Sequence, residues 1–372
     1  MKTNRPLGLY IHIPFCRSKC AYCDFYSLPS DEGRMDAYAA ALISAMRRAA
    51  PRADEYTVDT VYFGGGTPSL MGAHRLAALL EAVLSSYSVE PDAEITFEAN
   101  PESARSKAEL RALRGAGFNR VSLGMQSADE GELRGVGRVH TAADTRAAVE
   151  AARAAGFDNL SLDLIYALPS QTRERWRDSL AAAVSLAPEH LSCYALKVEP
   201  GTPLHAMRDR VRIPDDDLQA EMYLDAADYL ASHGFAQYEI SNFARPRRES
   251  RHNLKYWTLG EYLGFGPGAH SDFGGRRFAA ARDLDAFLAG DPPLSEDAAI
   301  GERERAAERV MLGLRLTRGV PAETLRGAED FLRECAAHGL AELFGGCWRL
   351  TPRGFLVSNE IILRVLDSLG VG

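Results

Sequence analysis

Along the first 200 positions, short apolar segments rich in β-branched and aromatic residues alternate with longer stretches rich in Ala, Leu and Arg. In the longer stretches apolar residues recur at steps of three and four, which indicates amphipathic helices, as in Met35–Ala49 and Arg173–Leu186. Strands separated by helices indicate βα units and a parallel sheet. The short segments predict six strands, at Leu9–Ile13, Val58–Phe63, Glu94–Glu98, Arg120–Met125, Leu160–Ile165 and Leu191–Ala195.

The pattern changes after about residue 200. Pro214–His233 predicts a long helix, Phe235–Ile240 predicts a further strand, and the stretch from 260 to 275 is rich in glycine. Beyond residue 292 the order is helix, helix, hairpin, helix, which is typical of a winged-helix module. The tail elements that we predict are helices at Glu302–Leu316, Glu329–His338 and Pro352–Leu369, and a hairpin of Leu340–Phe344 with Trp348–Leu350.

The fold class that these patterns predict is α/β, a partial (β/α)6 TIM-type barrel with a C-terminal α+β winged-helix-like module. We predict three parts: a barrel core over 1–200, a barrel extension over 201–292 and the C-terminal module over 293–372. In such sheets ligands collect at the carboxyl ends of the strands. Polar or glycine clusters follow or end five predicted strands there, namely Cys16–Cys23, Gly64–Pro68, Glu98–Pro101, Gln126 and Asp163.

Composition narrows the class of protein. The chain has 372 residues, 46% of them hydrophobic, and a formal net charge of -8. It contains no basic tract, so we predict that nucleic acid is not a partner. It contains no apolar run of membrane-spanning length, and Met1–Pro6 is too short and polar for a signal peptide. Six cysteines are too few for a disulfide scaffold, and we predict a cytoplasmic protein.

Three of the six cysteines lie in one short segment. Cys16, Cys20 and Cys23 have the spacing C-x3-C-x2-C directly after the first predicted strand. A [4Fe–4S] cluster normally takes four thiolates, and three leave one iron open for S-adenosylmethionine (SAM), which is the radical SAM arrangement. A zinc site or structural thiols are the alternative, but zinc sites usually have a second ligand pair. The other cysteines, Cys193, Cys335 and Cys347, lack ligand spacing, and we predict that they are buried apolar residues.

Two further features fit a SAM site. Gly64-Gly65-Gly66-Thr67-Pro68 lets the backbone approach a ligand closely and could present carbonyls to the SAM ammonium group, although alone it would be a tight turn. Glu98 and Asp163 lie in apolar strands, where an unpaired carboxylate is costly. Each could accept hydrogen bonds from a ribose hydroxyl or hold Arg138, and an internal ion pair with arginine is the alternative.

A histidine motif follows in the second half of the chain. His252-Asn253-Leu254-Lys255-Tyr256-Trp257 combines an imidazole, an amide and two large aromatic residues. A neutral imidazole can ligate haem iron axially, and Tyr and Trp can cover a porphyrin face. A structural histidine is the alternative.

These motifs resemble the HemN-like radical SAM family. The resemblance covers nearly the whole chain from about Leu7. His-Asn-x-x-Tyr-Trp is similar to the haem-chaperone branch of that family, whereas the enzyme branch, oxygen-independent coproporphyrinogen III dehydrogenase, has a further cysteine where this chain has Phe25. The runs that carry the resemblance are Tyr10–Cys16, Cys20–Phe25, Gly64–Pro68, Tyr238–Ala244, His252–Trp257 and Gly264–His270.

The resemblance implies site residues, cofactors and partners. Cys16, Cys20 and Cys23 would hold the [4Fe–4S] cluster, and His252 would bind haem. The implied function is a haem chaperone that passes haem to an acceptor protein, and the alternative is the dehydrogenase. Membrane respiratory proteins are candidate acceptors and a homodimer is a candidate assembly. The residues implied for SAM are Tyr10, Tyr22, Gly65, Gly66, Thr67, Glu98, Gln126, Arg138, Asp163, Ala195 and His270.

Overall fold

The structure is a computed structural model that describes residues 5–29, 31–290 and 292–371. Its strands are β1 Arg5–Ile13, β2 Phe15–Cys16, β3 Leu28–Pro29, β4 Tyr56–Gly65, β5 Val89–Ala99, β6 Arg120–Gln126, β7 Leu160–Tyr166, β8 His190–Ala195, β9 Ala236–Gln237, β10 Asn242–Ala244, β11 Tyr262–Phe265, β12 His270–Phe273, β13 Arg276–Ala280, β14 Leu294–Ala299, β15 Val320–Pro321, β16 Ala341–Phe344 and β17 Cys347–Leu350.

Helices cover the apolar face of the large sheet and form much of the C-terminal part, and one of them, Arg251–Trp257, packs on the polar face. They are α1 Glu32–Ala49, α2 Gly72–Ser86, α3 Lys107–Ala116, α4 Glu130–Gly135, α5 Ala142–Ala154, α6 Arg173–Ser185, α7 Pro203–Ala206, α8 Asp216–Ser232, α9 Arg251–Trp257, α10 Leu284–Leu288, α11 Glu302–Gly313, α12 Glu329–Ala337, α13 Pro352–Leu356 and α14 Ser358–Ser368. Short 3-10 helices lie at Ala50–Ala53, Pro68–Met71, Pro101–Ser103 and Ala322–Leu325.

One twelve-stranded sheet organises the molecule. Its order is β14-β13-β12-β11-β1-β4-β5-β6-β7-β8-β10-β9. The pairs from β11 to β8 are parallel, and antiparallel strands extend the sheet at both edges. The order does not return on itself, so the described strands form an open, partial barrel. The predicted fold class is confirmed.

The two faces of the parallel strands differ because side chains alternate along a strand. On one face Leu9, Phe63, Phe97 and Val121 are fully buried in one apolar core with helix residues such as Leu79. The opposite face lines the barrel interior and is unusually polar. It carries Tyr10, Thr60, Tyr62, Glu94, Thr96, Glu98, Arg120, Ser122, Ser161, Asp163, His190 and Ser192.

All six predicted core strands are present, several of them longer at their ends than the sequence pattern suggested. Other expectations were wrong in detail. The predicted strand Phe235–Ile240 is replaced by the short strands β9 and β10, which pair with each other across a tight connection. The predicted last helix is broken at Val357, whose φ of -116° and ψ of 22° interrupt the helix between α13 and α14.

The C-terminal part contains α11, α12, α13 and α14 around a three-stranded antiparallel sheet in the order β15-β17-β16. Its hairpin turns at Gly345 and Gly346, both with positive φ. This arrangement is the predicted winged-helix-like module. No helix in the described residues is both long and apolar enough to cross a membrane.

Candidate functional site

The cysteine segment lies at the carboxyl ends of the parallel strands. Cys16 ends β2, and Cys20 and Cys23 follow in a loop without helix or strand. Ala21 anchors the loop, because its N–H donates to the carbonyl of Val136 at 3.0 Å. All three thiols are free and half-buried. The loop therefore presents three sulfur ligands at the rim where ligands of such folds collect.

The other three cysteines are also free, as expected, but they are not alike. Cys193 and Cys335 are buried as predicted, whereas Cys347, which follows the exposed turn at Gly345 and Gly346, is only half-buried, so the prediction is wrong for this residue. Among the residues with described positions, no group of three His, Cys, Asp or Glu side chains is placed to hold a single metal ion. A cluster differs from such a site, because each of its thiolates binds a separate iron.

The glycine segment holds the start of the cysteine loop in place. The N–H of Gly66 donates to the carbonyl of Ile13, and that of Thr67 to the carbonyl of Phe15, both at 2.8 Å. A Cβ at Gly66 would lie only 2.7 Å from the Phe15 carbonyl oxygen. The glycine is therefore required where the end of β4 packs against the chain that leads to Cys16.

Two polar side chains contact the cysteine sulfurs. Thr67 Oγ1 lies 3.5 Å from Cys16 Sγ, and Arg138 Nη1 lies 3.5 Å from Cys20 Sγ. Burial raises the pKa of the Cys16 and Cys23 thiols, so metal binding has to displace protons from them. Arg138 Nε is buried and has no hydrogen-bond partner in the structure. Three thiols in one short segment, a hydroxyl and a guanidinium in contact with two of them, and an unpaired cationic nitrogen fit a bound [4Fe–4S] cluster and an anionic ligand such as the SAM carboxylate.

The two interior carboxylates are bonded mainly to hydroxyl groups. Glu98 accepts from the Tyr62 hydroxyl at 2.8 Å and from the Gly65 N–H at 3.0 Å, and burial raises its pKa to about 7. Asp163 accepts from Ser192 at 2.8 Å and from Ser122 at 3.2 Å, and burial also raises its pKa. The ion pair of these carboxylates with Arg138, one of the two arrangements that the sequence allowed, is not formed.

Arg138 instead reaches the rim. Its Nη2 donates to Asn100 Oδ1 at 2.7 Å and to the Gly124 carbonyl at 2.6 Å. Tyr22 is partly buried beside this guanidinium and the cysteines, and its burial raises the pKa of the phenol. Gln126 ends β6 with a φ of 61°, a left-handed conformation that non-glycine residues rarely adopt. Tyr22, Gln126, Thr67 and Arg138 therefore gather at the rim with the cysteines.

The remaining residues predicted for SAM lie further apart. The Tyr10 hydroxyl bonds to His12 Nδ1 at 3.0 Å inside the barrel. Ala195 ends β8, whereas His270 begins β12, and these strands lie seven positions apart in the sheet order. The His270 side chain is 53% exposed, and its Nδ1 lies 3.8 Å from Glu296.

His252 lies in the barrel interior, on α9, away from the cysteine loop. Its Nδ1 bonds to Thr60 Oγ1 at 2.8 Å, and its Nε2 bonds to the Tyr256 hydroxyl at 2.9 Å. Its ring stacks on Tyr62 with centroids 5.2 Å apart. The residue is 1% exposed, and burial lowers its pKa to about 3. In this conformation His252 is a neutral imidazole with both nitrogens occupied.

The carboxylate of Glu94 fixes the start of α9. It accepts the backbone N–H groups of Arg251 and His252, both at 3.0 Å. Lys255, on the same helix, forms an ion pair of 2.7 Å with Asp59. A Cβ at Gly8 would lie 2.8 Å from Lys255 Cδ and 3.2 Å from His252 Cε1, so the absence of a side chain at Gly8 leaves room for these two residues beside β1.

Sequence reasoning assigned no role to several residues that organise the site. Asn100 was noticed only as part of a polar cluster, yet it bonds to both Arg138 and Thr67. Tyr62, Ser122 and Ser192 are the partners of the interior carboxylates. The sequence contains one sign of these three residues: each lies two positions after another polar residue in an otherwise apolar strand, so that both point to the same face of the sheet.

Comparisons with known proteins agree with this geometry. Residues 10–183 match the model of the Radical SAM superfamily, and residues 300–357 match the HemN C-terminal domain. The structure superposes with a TM-score of 0.82 on coproporphyrinogen III oxidase (HemN) from Escherichia coli, at 23% identity, covering 98% of this chain and 90% of that chain. The fold and the three-cysteine rim thus define a radical SAM protein with a HemN-type C-terminal domain.

Curated relatives narrow the class. "Heme chaperone HemW" of Mycobacterium tuberculosis (strain H37Rv) is 40% identical over 98% of this chain and 95% of its own length. Its Escherichia coli (strain K12) counterpart is 34% identical over 96% and 97%. The mouse "Radical S-adenosyl methionine domain-containing protein 1, mitochondrial" is 36% identical over 97% and 88%. The chain belongs to the HemW family.

Proposed function

We propose that this protein is a haem chaperone that binds haem and transfers it to an acceptor protein. One observation carries the proposal: relatives named heme chaperones match this chain at 33–40% identity over most or nearly all of its length. The fold itself does not distinguish a chaperone from an enzyme, because the HemN structure shares it. The distinction rests on the relatives and on Phe25.

Cys16, Cys20 and Cys23 are the proposed cluster ligands, and the remaining iron is open to SAM. When bound, the cluster and SAM supply a one-electron donor and a cleavable carbon–sulfur bond. Phe25, which is 65% exposed, stands where the enzyme branch has a further cysteine. We propose that the protein therefore releases no porphyrinogen product. The SAM contacts that we propose are Tyr10, Tyr22, Gly65, Gly66, Thr67, Glu98, Gln126, Arg138, Asp163, Ala195 and His270.

We propose that His252 is the axial haem ligand. Haem ligation by His252 requires that its bond to Thr60 or to Tyr256 breaks and that α9 moves away from β1 and β4. His12 is similarly enclosed, with its ring nitrogens bonded to the Tyr10 hydroxyl and to the Tyr26 carbonyl. His270 needs no such opening. His252 is thus a ligand only of an opened conformation, and His270 is the accessible competitor.

Anaerobic reconstitution with haem, SAM and coproporphyrinogen III tests the function. A chaperone retains haem, delivers it to an added apo-haem protein and forms no protoporphyrinogen IX. Catalytic formation of protoporphyrinogen IX, with release of 5′-deoxyadenosine, would assign the protein to the enzyme branch instead. Failure to retain haem would remove the chaperone proposal.

Spectroscopy of histidine variants tests the ligand. If His252 binds the iron, the Soret band changes in His252→Ala and not in His270→Ala, and haem association is slow because α9 has to open. If His270→Ala alone changes the band, the ligand lies on the exposed edge and His252 has a structural role. His12→Ala serves as the control for a buried histidine with two occupied nitrogens.

We also make proposals on the domains, the location and the partners of the protein. We propose a barrel core over 1–200, an extension over 201–292 and a C-terminal module over 293–372. We also propose a cytoplasmic location and no nucleic-acid partner, on the charge and composition of the chain. The acceptor is a haem-binding protein, with membrane respiratory proteins as candidates. A homodimer is the assembly to test by sedimentation.

A further inference from the structure

An unbroken chain of hydrogen bonds connects two cluster cysteines. Arg138 Nη1 lies 3.5 Å from Cys20 Sγ, and Arg138 Nη2 donates to Asn100 Oδ1 at 2.7 Å. Asn100 Nδ2 donates to Thr67 Oγ1 at 3.1 Å, and that hydroxyl lies 3.5 Å from Cys16 Sγ. Asn100 is the middle of this chain, and it is the one member without a predicted role.

The direction of each bond is determined by chemistry. Arg138 can only donate, so the amide of Asn100 presents its oxygen to Arg138 and its nitrogen to Thr67. Thr67 Oγ1 accepts from that nitrogen, which leaves its own proton for another acceptor. A cysteine thiolate bound to iron has no proton and can only accept. The hydroxyl of Thr67 therefore donates to Cys16 when the cluster is bound.

The ordinary explanation for Asn100 does not apply. It is the N-cap residue of the 3-10 helix Pro101–Ser103, a position where asparagine side chains usually accept a backbone N–H of the first turn. Here the side chain makes no capping bond. It is turned instead toward Arg138 and Thr67, which lie 38 and 33 positions away in the sequence.

We propose that Asn100 is a positioning residue of the iron–sulfur site, which orients the donors that bond to the Cys16 and Cys20 sulfurs and so sets the reduction potential of the cluster. The inference rests on the proposed cluster at Cys16, Cys20 and Cys23. Hydrogen bonds to cluster sulfurs stabilise the more negative, reduced cluster and are one means by which proteins tune its potential. Loss of these bonds therefore lowers the potential.

Redox titration of the SAM-free cluster, followed by electron paramagnetic resonance, tests the proposal. In Asn100→Leu the reduced-to-oxidised ratio at a fixed potential should fall about tenfold, which is 59 mV for a one-electron couple. Thr67→Val, which removes the donor to Cys16 together with the acceptor of the Asn100 amide, should lower the potential in the same direction. The double variant should shift less than the sum of the two, because Asn100 acts partly through Thr67.

Asn119 provides the matched control. It is a half-buried asparagine whose amide braces β5, since Oδ1 accepts from the Ile95 N–H at 2.8 Å and Nδ2 donates to the Ala93 carbonyl at 2.7 Å. Asn119→Leu should destabilise the protein without moving the potential. An unchanged potential in Asn100→Leu, or additive shifts in the double variant, would overturn the positioning role.

The outcomes also separate this inference from the proposed function. Iron and sulfide analysis of the wild-type protein comes first, and an absence of cluster there would contradict the proposed cofactor rather than the role of Asn100. If Asn100→Leu takes up no cluster, Asn100→Ser, which keeps a small polar side chain, and Thr67→Val provide the measurement. An unshifted potential in both of those variants would equally reject the inference.

Discussion

Polar groups at the rim of the barrel, at the carboxyl ends of the parallel strands, differ in their hydrogen bonding from His252 and Glu94 at the opposite end, which we call the floor. At the rim the cysteine thiols are half-buried and Arg138 Nε has no partner. At the floor both nitrogens of His252 are bonded, and Glu94 accepts two backbone N–H groups of α9. The groups at the rim thus leave bonding capacity for a ligand, whereas His252 and Glu94 use theirs internally, although Thr96 Oγ1 and Arg120 Nε on the same interior face have no partner in the structure either.

The comparison separates two kinds of motif. The C-x3-C-x2-C segment holds its half-buried sulfur atoms at the rim, where ligands of such folds collect. The His-Asn-x-x-Tyr-Trp segment forms the helix α9, which packs inside the barrel. Haem binding by its histidine therefore requires that a hydrogen bond to Thr60 or Tyr256 breaks and that α9 moves. Substitutions at the rim should therefore affect cofactor binding, and substitutions at the floor should affect stability.

The largest expected effect is loss of the cluster. In Cys16→Ala, Cys20→Ala or Cys23→Ala, one of three ligands is removed, and reconstituted protein should lose nearly all of its iron and sulfide. Cys193→Ala and Cys347→Ala serve as controls, because these thiols lie outside the loop, and they should keep wild-type iron content. An intact cluster in Cys20→Ala would contradict the assignment of the loop.

At the floor, His252→Ala should destabilise the cofactor-free protein by about 2–4 kcal/mol. The substitution leaves a cavity and removes the hydrogen-bond partner of the buried Thr60 hydroxyl. His270→Ala removes an exposed imidazole and should change the stability by no more than about 0.5 kcal/mol. Urea unfolding measures both. Equal stabilities of the two variants would show that the bonds of His252 do not hold α9 in place.

Glu98 connects the rim and the floor and should make stability depend on pH. Burial raises its pKa from 4.5 to about 7 in the folded protein. Between these values the folded state binds the extra proton, so stability decreases as the pH rises from about 4.5 to 7. The shift corresponds to about 3 kcal/mol at most.

Glu98→Gln stays neutral and tests this effect. Between pH 5 and pH 8 its urea midpoint should fall less than that of the wild-type protein. Glu81→Gln, at an exposed position of α2, should follow the wild type. If Glu98→Gln has the same pH dependence as the wild type, other buried carboxyl groups, such as Glu239, whose pKa burial also raises to about 7, are responsible.

Local patterns predicted the parallel strands because each strand alternates with a helix and is apolar on one face. They did not predict that β11 pairs with β1, since these segments are about 250 positions apart and β11 is only four residues long. The position of His252 was missed for the same reason. Its partner Thr60 is 192 positions away, and only the assembled sheet brings them together.

In the site, too, features formed by neighbouring residues were predicted and contacts between distant residues were not. The cysteine spacing is local, and it identified the loop directly. The partners of Glu98 and Asp163 are not local, and they are hydroxyl groups of the protein rather than the arginine that was one of the open alternatives. A strand that is apolar on one face reveals that a polar residue points to the other face, but the sequence does not reveal which neighbouring strand supplies its partner.

The smallest effect concerns the glycine that joins β4 to the cysteine loop. In Gly66→Ala the new Cβ meets the carbonyl oxygens of Phe15 at 2.7 Å and Ile13 at 2.8 Å. Both are backbone atoms, so relief requires that the end of β4 moves away from the chain before Cys16, which should cost about 1–3 kcal/mol. Cluster content should also fall, because the same movement weakens the N–H bonds that Gly66 and Thr67 donate. Gly135→Ala, at the end of α4 with no neighbouring atom within 4 Å, should leave stability and iron content unchanged. If both alanine variants behave alike, the glycine segment does not position the cysteine loop, and its role would have to be direct contact with a ligand.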